Sequence, residues 1–461
     1  TMRSVKTLLL FLSFLSVMGL ARGSAEDCPA SCENQGLTIH AQCSLAECSS
    51  CDICTCRPYC YQNDKPWETK CNWNNCKGCS ECGAPKKKPN ILLIFADDVG
   101  TGDIPGYWGN DNNGIVDMPN IYDLVNKGTT FTDAHSTPLC ASSRYVLLSG
   151  NYQHRGRLPG GSWDLGNPIQ FIGNQTSIAQ VLRDEGGYHT AMMGKWHMGG
   201  LIPSATGKTS TRTTDSLSNP NNNWTLPLVE GPQTVGFDSS LISDQGIQKY
   251  PYCFFRDGFL TTPLDDVRVW DRGTYTMPLG QSMILQKGEG TTGWDSTAYN
   301  MILVNETNRF LDDHMENRPD DPFFAYVALG AAHVPHTPPD YYMDGTKVAG
   351  ERQTPFLDIM KELDLVVGSL VKSIEDRGLA DDTIIILTSD NGGLKNQDSQ
   401  DVGHYSSGPL RSRKGSIYEG GHRVPFIIRH DGVFPAKERR DHLIGINDIF
   451  ATLCEIAGVD V

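Results

Sequence analysis

Four short apolar runs in this chain each end in a cluster of polar groups, and that pattern constrains the fold more than any other feature. Ile91 to Phe95 runs into Asp97-Asp98, and Tyr188 to Met193 into Gly194-Lys195-Trp196-His197. Phe323 to Leu329 leads to His333-Val334-Pro335-His336. Thr383 to Leu387 leads to Thr388, Ser389, Asp390, Asn391, Gly392 and Gly393. Longer helical patterns separate the runs. The alternation predicts an α/β domain with a mainly parallel sheet sandwiched by helices. Sheets of that kind bind ligands at the carboxyl ends of their strands, so four distant segments are predicted to converge on one crevice.

The chemistry available there is specific. Asp97, Asp98, Asp390 and Asn391 offer only oxygen donors, which suit a hard cation, Ca²⁺ or Mg²⁺, rather than zinc. Singly, each pair reads as an ordinary turn or helix cap. Three carboxylates at one edge would repel one another without a cation, which favours the metal reading. Lys195 and His197 lie two apart and can address one site. Lys414 stands in a glycine-containing stretch, Arg413 to Pro425, and in isolation reads as a surface charge. Cys140-Ala141-Ser142-Ser143-Arg144 places a thiol ahead of a short apolar helix, with an arginine one turn on and Gly150 where the helix should end. The positive end of that helix suits an anion beside Cys140. The pentapeptide alone fits a buried or disulfide-bonded cysteine equally well.

The amino-terminal part has a different character. Residues 1–25 carry Arg3 and Lys6, an apolar run from Leu8 to Leu20, and small residues from Ala21 to Ala25. They read as a secretory signal rather than an uncleaved anchor, because the run is short for a bilayer. Asn174, Asn223 and Asn305 begin glycosylation sequons, in keeping with export. No second long apolar segment follows, so stable membrane insertion is not expected. Twelve of the 15 cysteines lie between Cys28 and Cys82. Cys28, Cys32, Cys43, Cys48, Cys51 and Cys54 recur 28 residues later as Cys56, Cys60, Cys71, Cys76, Cys79 and Cys82. This is a tandem duplication. Units so short need cross-links, and the secretory context favours disulfides over zinc, with the connectivity open. Residues 83–89, with Lys86, Lys87 and Lys88 between two prolines, form the predicted linker to the α/β domain over residues 90–461. The net charge of −15 disfavours nucleic acid or an anionic membrane as the main partner.

Taken together, Asp97-Asp98, the Cys140 pentapeptide, Gly194 to Gly199, His333, Asp390-Asn391 and Lys414 resemble the sulfatase family, in order and spacing, across Asn90 to Val461. The resemblance implies that Cys140 becomes formylglycine, made by a formylglycine-generating enzyme, and attacks a sulfate ester. It implies that Asp97, Asp98, Asp390, Asn391 and the modified Cys140 hold Ca²⁺. Lys195 and Lys414 would neutralise the sulfate, His333 would protonate the leaving alcohol, His197 would serve as base, and Arg144 would hold the modified residue. Ser243 is a further sulfate contact on this reading, and His336 a second candidate acid. Ser142 stands where the family has proline or, less often, alanine. The chain stops after a helix, Asp448 to Gly458, that in the family precedes a smaller C-terminal subdomain, so a truncated subdomain is expected. The implied function is that of a secreted or secretory-lumen sulfuric ester hydrolase, with a sulfated polysaccharide favoured as substrate. A phosphoesterase of the same superfamily, or a non-catalytic carbohydrate-binding or matrix protein on this scaffold, are the alternatives.

Overall fold

The computed structural model describes residues 87–108, 115–161, 163–206, 219–262, 267–270, 275–276, 282–283 and 287–460. The secretory segment, the cysteine repeats and the first part of the linker lie outside these residues. Ten strands make the main sheet: β1 (Asn90–Ala96), β2 (Thr129–His135), β3 (His189–Lys195), β4 (Ser239–Ser243), β5 (Phe255–Arg256), β6 (Phe259–Leu260), β7 (Phe323–Ala328), β8 (Thr383–Ser389), β9 (Phe426–Arg429) and β10 (Glu438–Gly445). Their order is β10-β2-β9-β8-β1-β7-β3-β4-β5-β6.

The four runs read from the sequence are β1, β3, β7 and β8. They lie side by side, and β8, β1, β7, β3 and β4 are parallel. Every residue of β1 is buried, because the sheet is covered on both sides. Six helices provide the cover: α1 (Pro119–Lys127), α2 (Cys140–Ser149), α3 (Ile178–Asp184), α4 (Tyr299–Asn317), α5 (Pro355–Glu375) and α6 (Asp448–Ile456). Ile91, Leu93 and Phe95 pack with apolar residues of α2, α3 and α6. Leu92 and Ile94, pointing the other way, pack with those of α1, α4 and α5. Helix α5 starts where the Thr354 hydroxyl accepts from Leu357 N–H and Pro355 takes the first turn. Its buried Phe356, Met360, Leu363, Val367, Leu370 and Ile374 recur every three or four residues, the spacing of one helix face.

The sheet is mainly parallel, as expected, with antiparallel strands inserted at β9 and added beyond β4. After β8 the chain does not cross over; it stays at the carboxyl edge, where Lys414 N–H bonds Gly393 O and Gly392 N–H bonds Gly421 O. It therefore enters β9 from that edge and runs antiparallel to β8 and β2. At the other end, β4, β5 and β6 are joined antiparallel. Asp257 and Gly258 turn β5 into β6 with φ of 50° and 87°, the left-handed pair a two-residue hairpin needs.

Gly194 shows how tightly the site end of the sheet is packed. It lies in β3 opposite Ala328 with φ of 105°, and a Cβ there would sit 1.9 Å from the Ala328 carbonyl oxygen. Gly194→Ala should destabilise the domain by at least about 2 kcal/mol, read by urea unfolding. A change under about 0.5 kcal/mol would show that β3 and β7 can part at no cost.

Candidate active site

The carboxyl ends of β1, β3 and β8 and the start of α2 meet in one buried cluster. Asp97 and Asp98 follow β1, with Asp97 N–H bonded to Ala331 O at 2.9 Å. Asp98 adopts a φ of 65°, which aspartate tolerates, and its N–H donates to Asp390 Oδ1 at 3.1 Å. Asn391 Nδ2 donates to Asp98 Oδ1 at 2.8 Å. Asp97-Asp98 and Asp390-Asn391, almost 300 residues apart in sequence, are thus hydrogen-bonded to each other.

Cys140 is the first residue of α2, after Leu139 in extended conformation. The helix ends as its sequence predicts, with Gly150 left-handed and its N–H bonded to Val146 O. Ser142 Oγ donates to Leu139 O at 2.9 Å and shares a 2.6 Å hydrogen bond with Thr137 Oγ1, so it braces the start of the helix. One turn on, Arg144 is wholly buried over the Phe95 ring. It donates to Asp390 Oδ2 at 2.8 Å and to Lys195 O at 3.0 Å, and lies 3.7 Å from Asp97 Oδ2.

Two lysines complete the cluster. Lys195, at the end of β3, donates to Asp97 Oδ2 at 2.6 Å and to Gln248 Oε1 at 2.9 Å. Lys414 lies 2.5 Å from Asp98 Oδ1 and 4.0 Å from Cys140 Sγ. His333 Nε2 is 3.6 Å from Asp98 Oδ2, and its Nδ1 bonds Val334 O at 2.6 Å. His197 is buried with φ of 57°, its N–H bonded to Asp244 O at 2.7 Å. Ser243 is paired with Lys195 across β3 and β4, and its hydroxyl shares a 2.6 Å hydrogen bond with Tyr299. His336 is buried against Phe356.

Burial and charge act in opposite directions on these groups. Burial raises the Asp97 carboxyl, but Lys195, His333, Arg144 and Lys414 together hold it well below the usual range. Asp390 moves upward, first from burial and then from the Asp97 charge. Burial also pushes the Cys140 thiol up, against the pull of Lys195 and Lys414. Both His197 and His333 are lowered by burial, His197 strongly and with help from Lys195 and Arg144. His336 is brought down to about 4 by burial, then by His333.

A cation fits this donor set. Asp97 Oδ1, Asp98 Oδ2 and Asn391 Oδ1 are buried and accept no hydrogen bond from any described residue. Such orphaned oxygens cost free energy unless a positive centre meets them. Asp97, Cys140 and Asp390 also bring one ligand atom each within 4.8 Å of one another, as do Asp97, Asp98 and His333. Gln248, which holds Lys195, had no signal in the sequence; a glutamine on a loop has no spacing that marks it.

The class defined by these features is an α/β protein with buried lysine, arginine and carboxylate side chains clustered around a cysteine at a helix start. The chain belongs to the sulfatase family, whose family model matches residues 89–459. It is 29% identical to an N-acetylgalactosamine-6-O-sulfatase of Bacteroides thetaiotaomicron, over 81% of this chain and 73% of that protein. It is 31% identical to human arylsulfatase A over 81% of this chain, a match that spans 65% of the human enzyme. A solved structure described under the metabolism of multiple glycosaminoglycans by Bacteroides thetaiotaomicron superposes with a TM-score of 0.66 at 26% identity, covering 82% of this chain and 78% of that one.

Arg144 gives the most direct structural test. Arg144→Met would leave Asp97 and Asp390 buried with less counter-charge, and should cost about 3–5 kcal/mol in urea unfolding with chelator present. A cost below about 1 kcal/mol would mean the carboxylates are neutral and the ion-pair account is wrong.

Proposed function

We propose that this chain hydrolyses sulfate esters of glycans outside the cell or in a secretory lumen, using a formylglycine made from Cys140 and a bound Ca²⁺. The observation that carries the reading is the cluster of Lys195, Lys414 and Arg144 with Asp97, Asp98 and Asp390 around Cys140. Three cationic side chains face three carboxylates, so the protein alone is close to neutral there. One divalent cation on Asp97, Asp98, Asp390 and Asn391 makes the crevice positive, which suits a sulfate group. Bound there, Ca²⁺ would polarise a sulfate oxygen. Formylglycine would supply a hydrated aldehyde as nucleophile, in place of a thiol whose raised pKa makes it a poor one.

The chain's own residues then have separable tasks. Arg144 fixes Asp390 beside Asp97 and orients Lys195 through its carbonyl. Lys195 and Lys414 hold the sulfate oxygens, and Ser243 stands at the same strand end as Lys195. His197, kept neutral by burial, presents an unprotonated imidazole at neutral pH for the role of base. His333 must carry a proton at Nε2 to give it to the departing alcohol, because Nδ1 is committed to Val334 O. Burial holds the His333 pKa below the ordinary imidazole value, so the protonated fraction grows as pH falls.

Export is favoured by the signal-like residues 1–25 and by the exposed sequon asparagines Asn174 and Asn305. Among the described residues no helix is long and apolar enough to cross a membrane. The glycan preference follows the named substrate of the bacterial relative. On this reading the duplicated cysteine module over 28–82 is separate from the catalytic domain, with a formylglycine-generating enzyme as maturation partner.

Two measurements test the proposal. Protein exported from its native host should show an aldehyde in place of the Cys140 thiol by peptide mass spectrometry. It should also have a higher kcat/KM on an aryl sulfate than on the matching aryl phosphate. An unmodified thiol in fully exported protein, or equal use of both esters, would overturn it. His333→Ala should lower turnover of poor leaving groups by about 10²-fold or more while sparing nitrophenyl esters, and the wild-type rate on poor leaving groups should rise as pH falls below neutrality. A uniform defect across leaving groups would remove His333 from the acid role.

A further inference from the structure

A second group of ligand atoms lies between the end of β2 and the one-turn helix Glu419–His422. His135, the last residue of β2, forms an antiparallel bridge with Arg423, and Ser136 N–H donates to His422 O at 2.8 Å. These backbone contacts fix the two histidines relative to each other. Their rings lie 5.1 Å apart between centroids, with the two Nδ1 atoms 3.0 Å apart. Glu419, three residues before His422 on the same helical turn, completes a group whose donor atoms all lie within 4.8 Å of one another.

The surroundings prepare His135 as a ligand. Asp133, two residues back on the same strand face, lies 2.8 Å from His135 Nε2. A carboxylate only accepts, so the proton of neutral His135 sits on Nε2 and the Nδ1 lone pair faces His422. A carboxylate behind a histidine in this way fixes the tautomer and raises the basicity of the ligating nitrogen. Arg423 bonds Asp133 and lies 3.2 Å from Glu419 Oε2, orienting both acids. Two carboxylates against one guanidinium leave this corner negative.

We propose that His135, His422 and Glu419 form a second metal site, which takes a borderline divalent transition ion such as Zn²⁺. Two imidazole nitrogens and one carboxylate are a zinc-type donor set, unlike the all-oxygen set of the catalytic centre. Zinc–nitrogen bonds in a tetrahedral site put ligand nitrogens about 3.3 Å apart, so the rings need to part by only a few tenths of an ångström. Water completes the coordination. The ion would brace the segment that carries Lys414 against β2, and Ser136 continues the brace by donating to the Asp390 carbonyl. The site is therefore structural support for the crevice and has no reacting group of its own.

The test uses the full chain, saturated with Ca²⁺ and dialysed free of transition metals, then titrated with Zn²⁺ by calorimetry. One zinc equivalent should bind to the wild type and to Asp98→Asn, which alters only the oxygen site. That equivalent should be lost in His422→Ala and weakened at least tenfold in Glu419→Gln, an exposed position that serves as the control if His422→Ala fails to fold. Co²⁺ in place of Zn²⁺ should give ligand-field absorption with no thiolate charge-transfer band, which separates this site from the cysteine repeats. No zinc equivalent, equal binding by both variants, a thiolate band, or loss of binding in Asp98→Asn would each overturn the proposal.

Discussion

Arg144 carries its charge to a place with no solvent, between two carboxylates, Asp97 and Asp390, that are almost 300 residues apart in sequence. Its bonds to Asp390 and to the Lys195 carbonyl, and its proximity to Asp97, tie the ends of β8, β3 and β1 to helix α2. Breaking such a buried pair leaves uncompensated charge, so the geometry around Cys140 is held by energy and not by loop shape alone. The arrangement also sets where Cys140 can be. The thiol stands one turn before Arg144, at the positive end of a helix whose register is fixed by Arg144 below and by Gly150 at its far end.

On the proposed reading, charge balance would let one crevice bind both a cation and an anion. Lysines reach the carboxylates directly, Lys195 to Asp97 and Lys414 to Asp98, so the acids do not repel the cluster apart. The three orphaned oxygens of Asp97, Asp98 and Asn391 remain available on the same groups. A metal ion meeting them would share the carboxylates with the lysines, freeing ammonium donors for a sulfate group. Cation and anion binding are then coupled through the same carboxylates.

Much of this was legible in the sequence because strands buried on both faces leave continuous apolar runs, and their carboxyl ends are marked by the first polar residues. Asp97, Asp98, Lys195, His197, His333, Asp390 and Asn391 all sit at such ends. Lys414 lies on a loop with no local signal, and only its resemblance to a family motif placed it with Cys140. The antiparallel β9 was missed because strand direction depends on where the connecting segment runs, which hydrophobic patterning does not record. Gln248 and the His135–His422 pair were missed for a related reason: their partners are set by packing across the sheet edge. Whether residues 28–82 form the disulfide-linked repeat read from their spacing lies outside the described residues.

The central claim is that Asp97, Asp98, Asp390 and Asn391 are a hard-cation site balanced by Arg144, Lys195 and Lys414. Equilibrium dialysis against Ca²⁺, comparing the wild type with Asp98→Asn and Asp390→Asn, tests it most directly. The account predicts one Ca²⁺ per wild-type chain and loss of that ion in both variants, with near-ultraviolet circular dichroism unchanged. No bound ion in the wild type, or the same binding in correctly folded variants, would contradict it.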